Sequence, residues 1–333
     1  MTHKQEEWLA LTKEDAIDPG LPICDAHHHL WERPDDFYLL NELLQDVNDH
    51  NVVKTVFVQC RTRYRESGPP EMAPVGETEF IESITAESAG KSSKTPVIAA
   101  GIVGFADLTL GDGVVPVLEA HLVASPDRFR GIRHVSAWDA QIDITKVVNI
   151  PAGLLLNQEF RKGFSYLDKY GLSYDAWVYH TQLKELVDLA KSFPETTIIL
   201  NHIGTPIGVA PYANKRKEVF KEWEQGIADL AVCPNVAVKL GGLGMWVCGF
   251  GWDQCTKPPS SIELAEVMEP YYLWCIKQFG CKRCMFESNF PVDKLSYSYT
   301  VLWNAFKRIA KDFSNEEKAA LFYDTADNYY RLG

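Results

Sequence analysis

The chain lacks an excess of positive charge. Its 33 lysines and arginines stand against 45 aspartates and glutamates, a formal charge of −12 at pH 7, and a net field of that sign repels phosphate. Nucleic acid and anionic membrane surfaces are therefore poor partners. Also missing is any run approaching the roughly 20 apolar residues that span a bilayer. The opening MTHKQEEWLALTKEDAID is charged throughout and has no signal-peptide apolar segment, so the expected location is cytoplasmic. No low-complexity tract divides the 333 residues. No G-x-G-x-x-G follows an early strand pattern, which argues against a doubly wound dinucleotide fold. Eight cysteines are present, mostly within apolar runs of a chain large enough to bury a core without staples, and they read as reduced thiols. Cys281 and Cys284 have the spacing of half a zinc site. A structural zinc needs four ligands and no second such pair follows, so they read as ordinary thiols at a strand entrance.

What the chain does have is alternation. Short β-branched runs, LPICDAHH, VKTVFVQC, PVIAAGIVGF, FRGIRHVS, SYDAWVYH, TTIILNHIG, NVAVKLGG and RCMFESNF, are separated by longer amphipathic stretches, the pattern of parallel βα units. Eight units without a composition break predict an α/β fold, a single (β/α)8 TIM barrel. Residues 1–22 form an N-terminal extension, and 23–333 form the barrel with its C-terminal helices. The last helix opens with Ser314 and carries Glu317 three places on, a capping box. In such a barrel the chemistry sits at the C-terminal ends of the strands.

One strand end carries ICDAHHHLW. Strict alternation puts Asp25, His27 and His29 on one face and Cys24, Ala26 and His28 on the other. Small Cys24 and Ala26 suit packing under the helices, which sends His27 and His29 into the barrel mouth and leaves His28 behind them. His180 closes the fifth run and His202 the sixth. Imidazoles converging from several strand ends can chelate a divalent metal or polarise a carbonyl. The plainer reading is a set of satisfied core histidines.

D-A-H-x-H-L-W at the first run, G-I-R-H at the fourth, L-N-H-I-G-T-P at the sixth, N-V-A-V-K-L-G near the seventh and S-N-F-P-V at the eighth resemble the amidohydrolase superfamily. More narrowly, they are similar to its branch of 2-pyrone-4,6-dicarboxylate lactonase and the sugar-acid lactonases. The resemblance implies a hydrolase in which His27, His29 and His202 carry the reaction with an eighth-strand aspartate. It also implies that Arg133, followed by His134, meets an anionic substrate. The fourth catalytic position departs from the pattern: where the family has S-D-W-P, this chain has Ser288, Asn289, Phe290, Pro291. An amide cannot take a proton from water. Glu287, Asp293 and His202 are the candidate replacements for the base. Both a zinc held by His27, His29, His180 and His202 and a metal-free mechanism stay open.

Around these lie candidate substrate contacts. Arg61 and Arg63, with Arg65, follow the second strand and can join Arg133 in a pocket for a carboxylate; their plainer reading is a solvated loop. Trp246 and Trp252 sit in GGLGMWVCGFGWDQ, where glycines and rings suit a pocket wall, which Trp31 can extend. The expected activity is hydrolysis of the lactone C–O bond of a small carboxylated acid. A decarboxylase or amide-bond hydrolase is the second reading, and a non-catalytic ligand-binding barrel the third. The expected partner is a small anionic molecule, and self-association into a homo-oligomer is also open.

Overall fold

The eight β-branched runs all become strands in the computed structural model, which describes residues 3–33, 36–86, 95–142 and 150–333. The barrel strands are β1 (Ile23–His28), β2 (Val52–Val58), β3 (Val97–Gly104), β4 (Phe129–Ile132), β5 (Ser173–Ala176), β6 (Ile198–Leu200), β7 (Val236–Leu240) and β8 (Cys284–Phe286). Each pairs in parallel with the next in chain order. The ring closes just beyond β8. Asn289 N–H donates to His27 O at 2.8 Å and His29 N–H to Phe290 O at 2.7 Å, so the motif that ends the eighth strand is hydrogen-bonded to the histidine motif of the first.

Helices fill the crossovers: Leu40–Val47, Val75–Ala86, Val115–Ala124, Gln158–Phe164, Leu183–Ser192, Arg216–Ala231 and Ser261–Phe279, with Tyr299–Ile309 after β8. The capping box at Ser314 and Glu317 is present. The outward residues of the strands and the helix faces form one large apolar core. Inside the ring lies a second, smaller cluster of Cys24, Ala26, Val56, Val58, Val103, Ile199, Ala237 and Met285, closed from below by Ala326 and Tyr330 of the C-terminal helix Thr325–Tyr330. Cys24 and Ala26 therefore fill the barrel interior and are not under the helices as alternation predicted. The reason is local: the pairing of β1 with β2 shifts between Asp25 and His28. Such an irregularity resets which face a side chain takes.

Residues 3–22 lie along the barrel wall. Trp8 Nε1 donates to Cys255 O at 2.9 Å, Thr12 Oγ1 to Pro258 O at 2.7 Å, and Lys307 Nζ to Ile17 O at 2.7 Å. All eight cysteines are unpaired; five are buried, Cys60 and Cys281 are part-buried and Cys255 is exposed. Among the described residues no helix is long and apolar enough to cross a membrane.

Candidate active site

One inward position further along the strands, the filling of the barrel changes from apolar to charged. Lys239 follows Ala237, Glu287 follows Met285, and Asp175 reaches the same layer from β5; all three are fully buried. His27, His29 and His202 join them. After the irregularity in β1, His27 turns inward, while His28 turns outward to Thr55 Oγ1 at 2.8 Å and the Phe57 ring, and Asp25 accepts from Ser288 N at 2.8 Å and Tyr299 OH at 3.1 Å.

Glu287 organises the layer. Its Oε1 accepts from the His202 ring Nδ1 at 2.7 Å and from the His202 backbone N–H at 3.1 Å. That second bond offsets a backbone held at φ 53°, a left-handed conformation that costs a non-glycine residue of order 1–3 kcal/mol. Gly242 makes the ring's place possible, because a Cβ there would lie 2.5 Å from the His202 ring. With Nδ1–H given to Glu287, His202 Nε2 is left as a free lone pair.

His29 is fixed in the same manner, its Nδ1 2.7 Å from Val58 O, so its Nε2 is an acceptor. His27 Nε2 faces that acceptor at 3.3 Å and Arg133 Nη1 at 3.2 Å. On the other side of the ring, Lys239 Nζ is the aligned partner of His27 Nδ1 at 3.3 Å. Glu287 Oε2 approaches the same nitrogen to 2.8 Å without hydrogen-bond alignment. An ammonium and a guanidinium only donate, so the two ring nitrogens of His27 each face a cationic donor, Lys239 at Nδ1 and Arg133 at Nε2. Burial, aided by Lys239, holds His27 well below the usual imidazole range, and burial, aided by Arg133, does the same to His29. Both rings are neutral at pH 7.

Asn289, at the position expected to be aspartate, also has a left-handed backbone (φ 55°). Its Nδ2 donates to Asp293 Oδ1 at 2.8 Å, and Asp293 Oδ2 accepts from Tyr297 OH at 2.7 Å and Gly244 N at 3.0 Å. Burial raises Asp293 to about 6. The carboxylate thus stands one turn behind the amide.

Above this layer opens a cavity of about 620 Å³, lined by His29, His202 and Asn289, by Arg33, Arg61 and Arg133, and by Trp31, Trp177, Tyr179, Met245 and Trp246 among others. Three buried polar atoms at its lining have no partner: Gln59 Oε1, Arg133 Nε and Tyr179 OH.

Several residues singled out from the sequence lie elsewhere. The fifth strand stops at Ala176, and His180 turns away into a helical turn where its Nδ1 faces Ile207 N at 3.3 Å and its ring meets Tyr212. Arg63 pairs with Glu32 and Arg65 with Glu79 at the surface. His134 accepts from Leu108 N at 3.2 Å and packs on Phe105 and Phe160. Trp252 is stacked on Phe250 at 4.7 Å and does not reach the cavity. Conversely, Lys239 and Asp175 were not read as site residues. Their signal was available: each is a lone charge at an inward position of an otherwise apolar strand.

Among the described residues, one grouping fits a divalent cation. His27, His202 and Glu287 present ligand atoms within 4.8 Å of one another, and Glu287 Oε2 is buried without a hydrogen-bond partner. The set differs from the one read in the sequence: Glu287 takes the third place, and the structure does not bring His180 to it. Arg133 and Lys239 already place two cations beside His27.

Comparison with known proteins follows the same lines. The amidohydrolase family profile matches residues 24–332. Uncharacterized protein y4mH of Sinorhizobium fredii is 33% identical over 339 residues, covering 94% of this chain and 99% of that protein. An L-fucono-1,5-lactonase of Burkholderia ambifaria is 26% identical over 325 residues, covering 92% and 95%. An amidohydrolase from Burkholderia multivorans, solved with bound zinc, has the same fold, with a TM-score of 0.71 at 22% identity over 93% of this chain and 99% of that one.

Proposed function

The chain belongs to the amidohydrolase family and is a hydrolase, and we propose that the bond it opens is the ester C–O bond of a small carboxylated lactone. The observation that carries this reading is the His202–Glu287 pair at the base of a cavity that also holds Arg133. Glu287 holds Nδ1–H of His202 at 2.7 Å, so Nε2 is the nitrogen that accepts a proton from water. A carboxylate behind an imidazole also supports the positive charge the ring gains, as in hydrolytic triads generally.

Water attacks the carbonyl carbon as His202 takes its proton. Negative charge then develops on the carbonyl oxygen, where the Arg133 guanidinium is placed to stabilise it in a site walled from solvent. The bond from the former carbonyl carbon to the ring oxygen breaks, His202 returns the proton to that oxygen, and the product is a hydroxy acid. Arg61 and Arg33, on the cavity side, suit the substrate's carboxylate. Trp31, Trp177 and Trp246 suit a flat ring lying between them. A divalent ion held by His27, His202 and Glu287 would lower the pKa of a water and polarise the carbonyl. The unpaired state of all eight cysteines supports a reducing, cytoplasmic setting.

The test is a panel of carboxylated lactones and aromatic acids, followed both by titration of released acid and by carbon dioxide evolution. Acid release from a lactone is expected. Carbon dioxide from an aromatic acid, with no lactone opened, would assign the barrel to decarboxylation.

A further inference from the structure

Asn289 stands where the family motif has aspartate, and the hydrolytic steps above give it no part. Nearly all its polar atoms are paired. The backbone N–H donates to His27 O at 2.8 Å, the backbone carbonyl accepts from Asp293 N at 3.1 Å, and Nδ2 donates to Asp293 Oδ1 at 2.8 Å. Among the described residues Oδ1 has no partner, and unlike Gln59 Oε1 and Tyr179 OH it is not sealed inside the protein. The residue lines the cavity, as His202 does.

Asp293 decides which end of the amide faces that cavity. Its Oδ2 already accepts from Tyr297 OH and from the backbone N–H of Gly244. Burial raises the group to about 6, so at pH 8 it is ionised and both its oxygens only accept. Asn289 then turns Nδ2 toward Asp293 and Oδ1 away from it. An aspartate at 289 would instead set two carboxylates at the 2.8 Å of this contact, where like charges do not both stay ionised. The asparagine is matched to Asp293, and it gives the cavity an acceptor without a negative charge. Among the described residues no aspartate or glutamate lines the cavity, which suits an anionic substrate.

We propose that Asn289 Oδ1 positions the attacking water, accepting a hydrogen bond from its second proton while His202 Nε2 takes the first, and that Asp293 is the positioning residue that keeps this oxygen turned to the cavity. The inference rests on the reading of His202 as the base. No proton moves to Asn289; it fixes the direction of the water, so its effect falls on kcat and not on KM.

The experiment compares full-length wild type, Asp293→Asn and the exchanged pair Asn289→Asp/Asp293→Asn at pH 8. In Asp293→Asn the new amide keeps Tyr297 and Gly244 through its carbonyl and turns its own Nδ2 to Asn289, which flips and puts a donor in the cavity. On a lactone substrate kcat should fall about tenfold, the scale of one hydrogen bond, with KM within about twofold. The exchanged pair returns an acceptor to the cavity and should recover kcat to within about threefold of wild type, a coupling between contacting residues. NMR of the wild-type side-chain amides needs neither substrate nor a folded variant: the Asn289 Nδ2 protons, held by a buried carboxylate, should exchange slowly with water. Asn289 protons that exchange as freely as surface ones, wild-type kcat in Asp293→Asn, or an exchanged pair no faster than Asp293→Asn would each overturn the proposal. A lactone panel without turnover, with those protons protected, would count against the proposed reaction; free exchange in an active enzyme would count against this inference.

Discussion

The floor and the mouth of this barrel are built from the same strands yet differ in every property that matters to function. At the floor, Val56, Ile199, Ala237 and Met285 pack with the C-terminal helix and present no hydrogen-bonding side chain. One alternation higher, Lys239 and Glu287 stand where apolar residues would, and His27, His29, His202 and Arg133 gather around them. The lesson is a division of labour within single strands: the lower inward residue serves packing, and the next one serves chemistry.

That division can be broken by design. The largest effect is expected from Glu287→Gln, which withdraws the charge behind His202 while keeping the side chain's size. Turnover should fall by roughly 10²–10⁴-fold, read in an acid-release assay, with the far-UV circular dichroism unchanged. A floor substitution should do the reverse. Ile199→Ala is expected to cost about 2–5 kcal/mol of stability in denaturant titration and to leave kcat within about twofold. Next in size is Arg133→Met, expected to reduce kcat/KM on a carboxylated lactone about 10–100-fold through loss of charge-assisted bonding.

The smallest effect sharpens the comparison through pH. His28 is lowered by burial to about 3, and His121 and His134 to about 4. An unfolded histidine binds its proton near 6.5 while these do not, so their contribution is complete above pH 6.5 and drains as pH falls through the folded values. Asp25 and Asp293, raised by burial to about 6 from 3.8, act with the opposite sign: their contribution is complete below about 3.8 and lost as pH rises through 6. The melting temperature should therefore decline between pH 6.5 and 4. Asp293→Asn should make that decline steeper, because one of the two opposing groups is gone; an unchanged slope would show that Asp293 does not bind its proton early.

Much of the barrel was legible in the sequence because parallel strands buried on both faces read as short, largely apolar runs, and all eight runs became strands. Their ends were not legible. SYDAWVYH reads as a strand up to His180, whereas the sheet stops at Ala176 and Trp177 and Tyr179 turn to line the cavity. Alternation also failed at β1, where the pairing with β2 shifts register and Cys24 and Ala26 face the interior along with His27. Motifs marked His27, His29, His202 and Arg133, four side chains that the structure brings together. Glu287 was one of three candidate bases; in the structure it is fully buried and its carboxylate stands behind the His202 ring. Lys239 and Asp175 stayed hidden because strand periodicity records which face a residue takes, and says nothing of which charges on neighbouring strands will meet.

The most direct test places the two ends of the barrel side by side. His202→Ala and Met285→Ala are assayed together for acid release from a carboxylated lactone and for melting temperature. The account predicts a clean dissociation: the first variant keeps its melting temperature and loses turnover at least about 10²-fold, and the second melts lower and turns over normally. Wild-type turnover in His202→Ala, or parallel losses of both quantities in both variants, would contradict it.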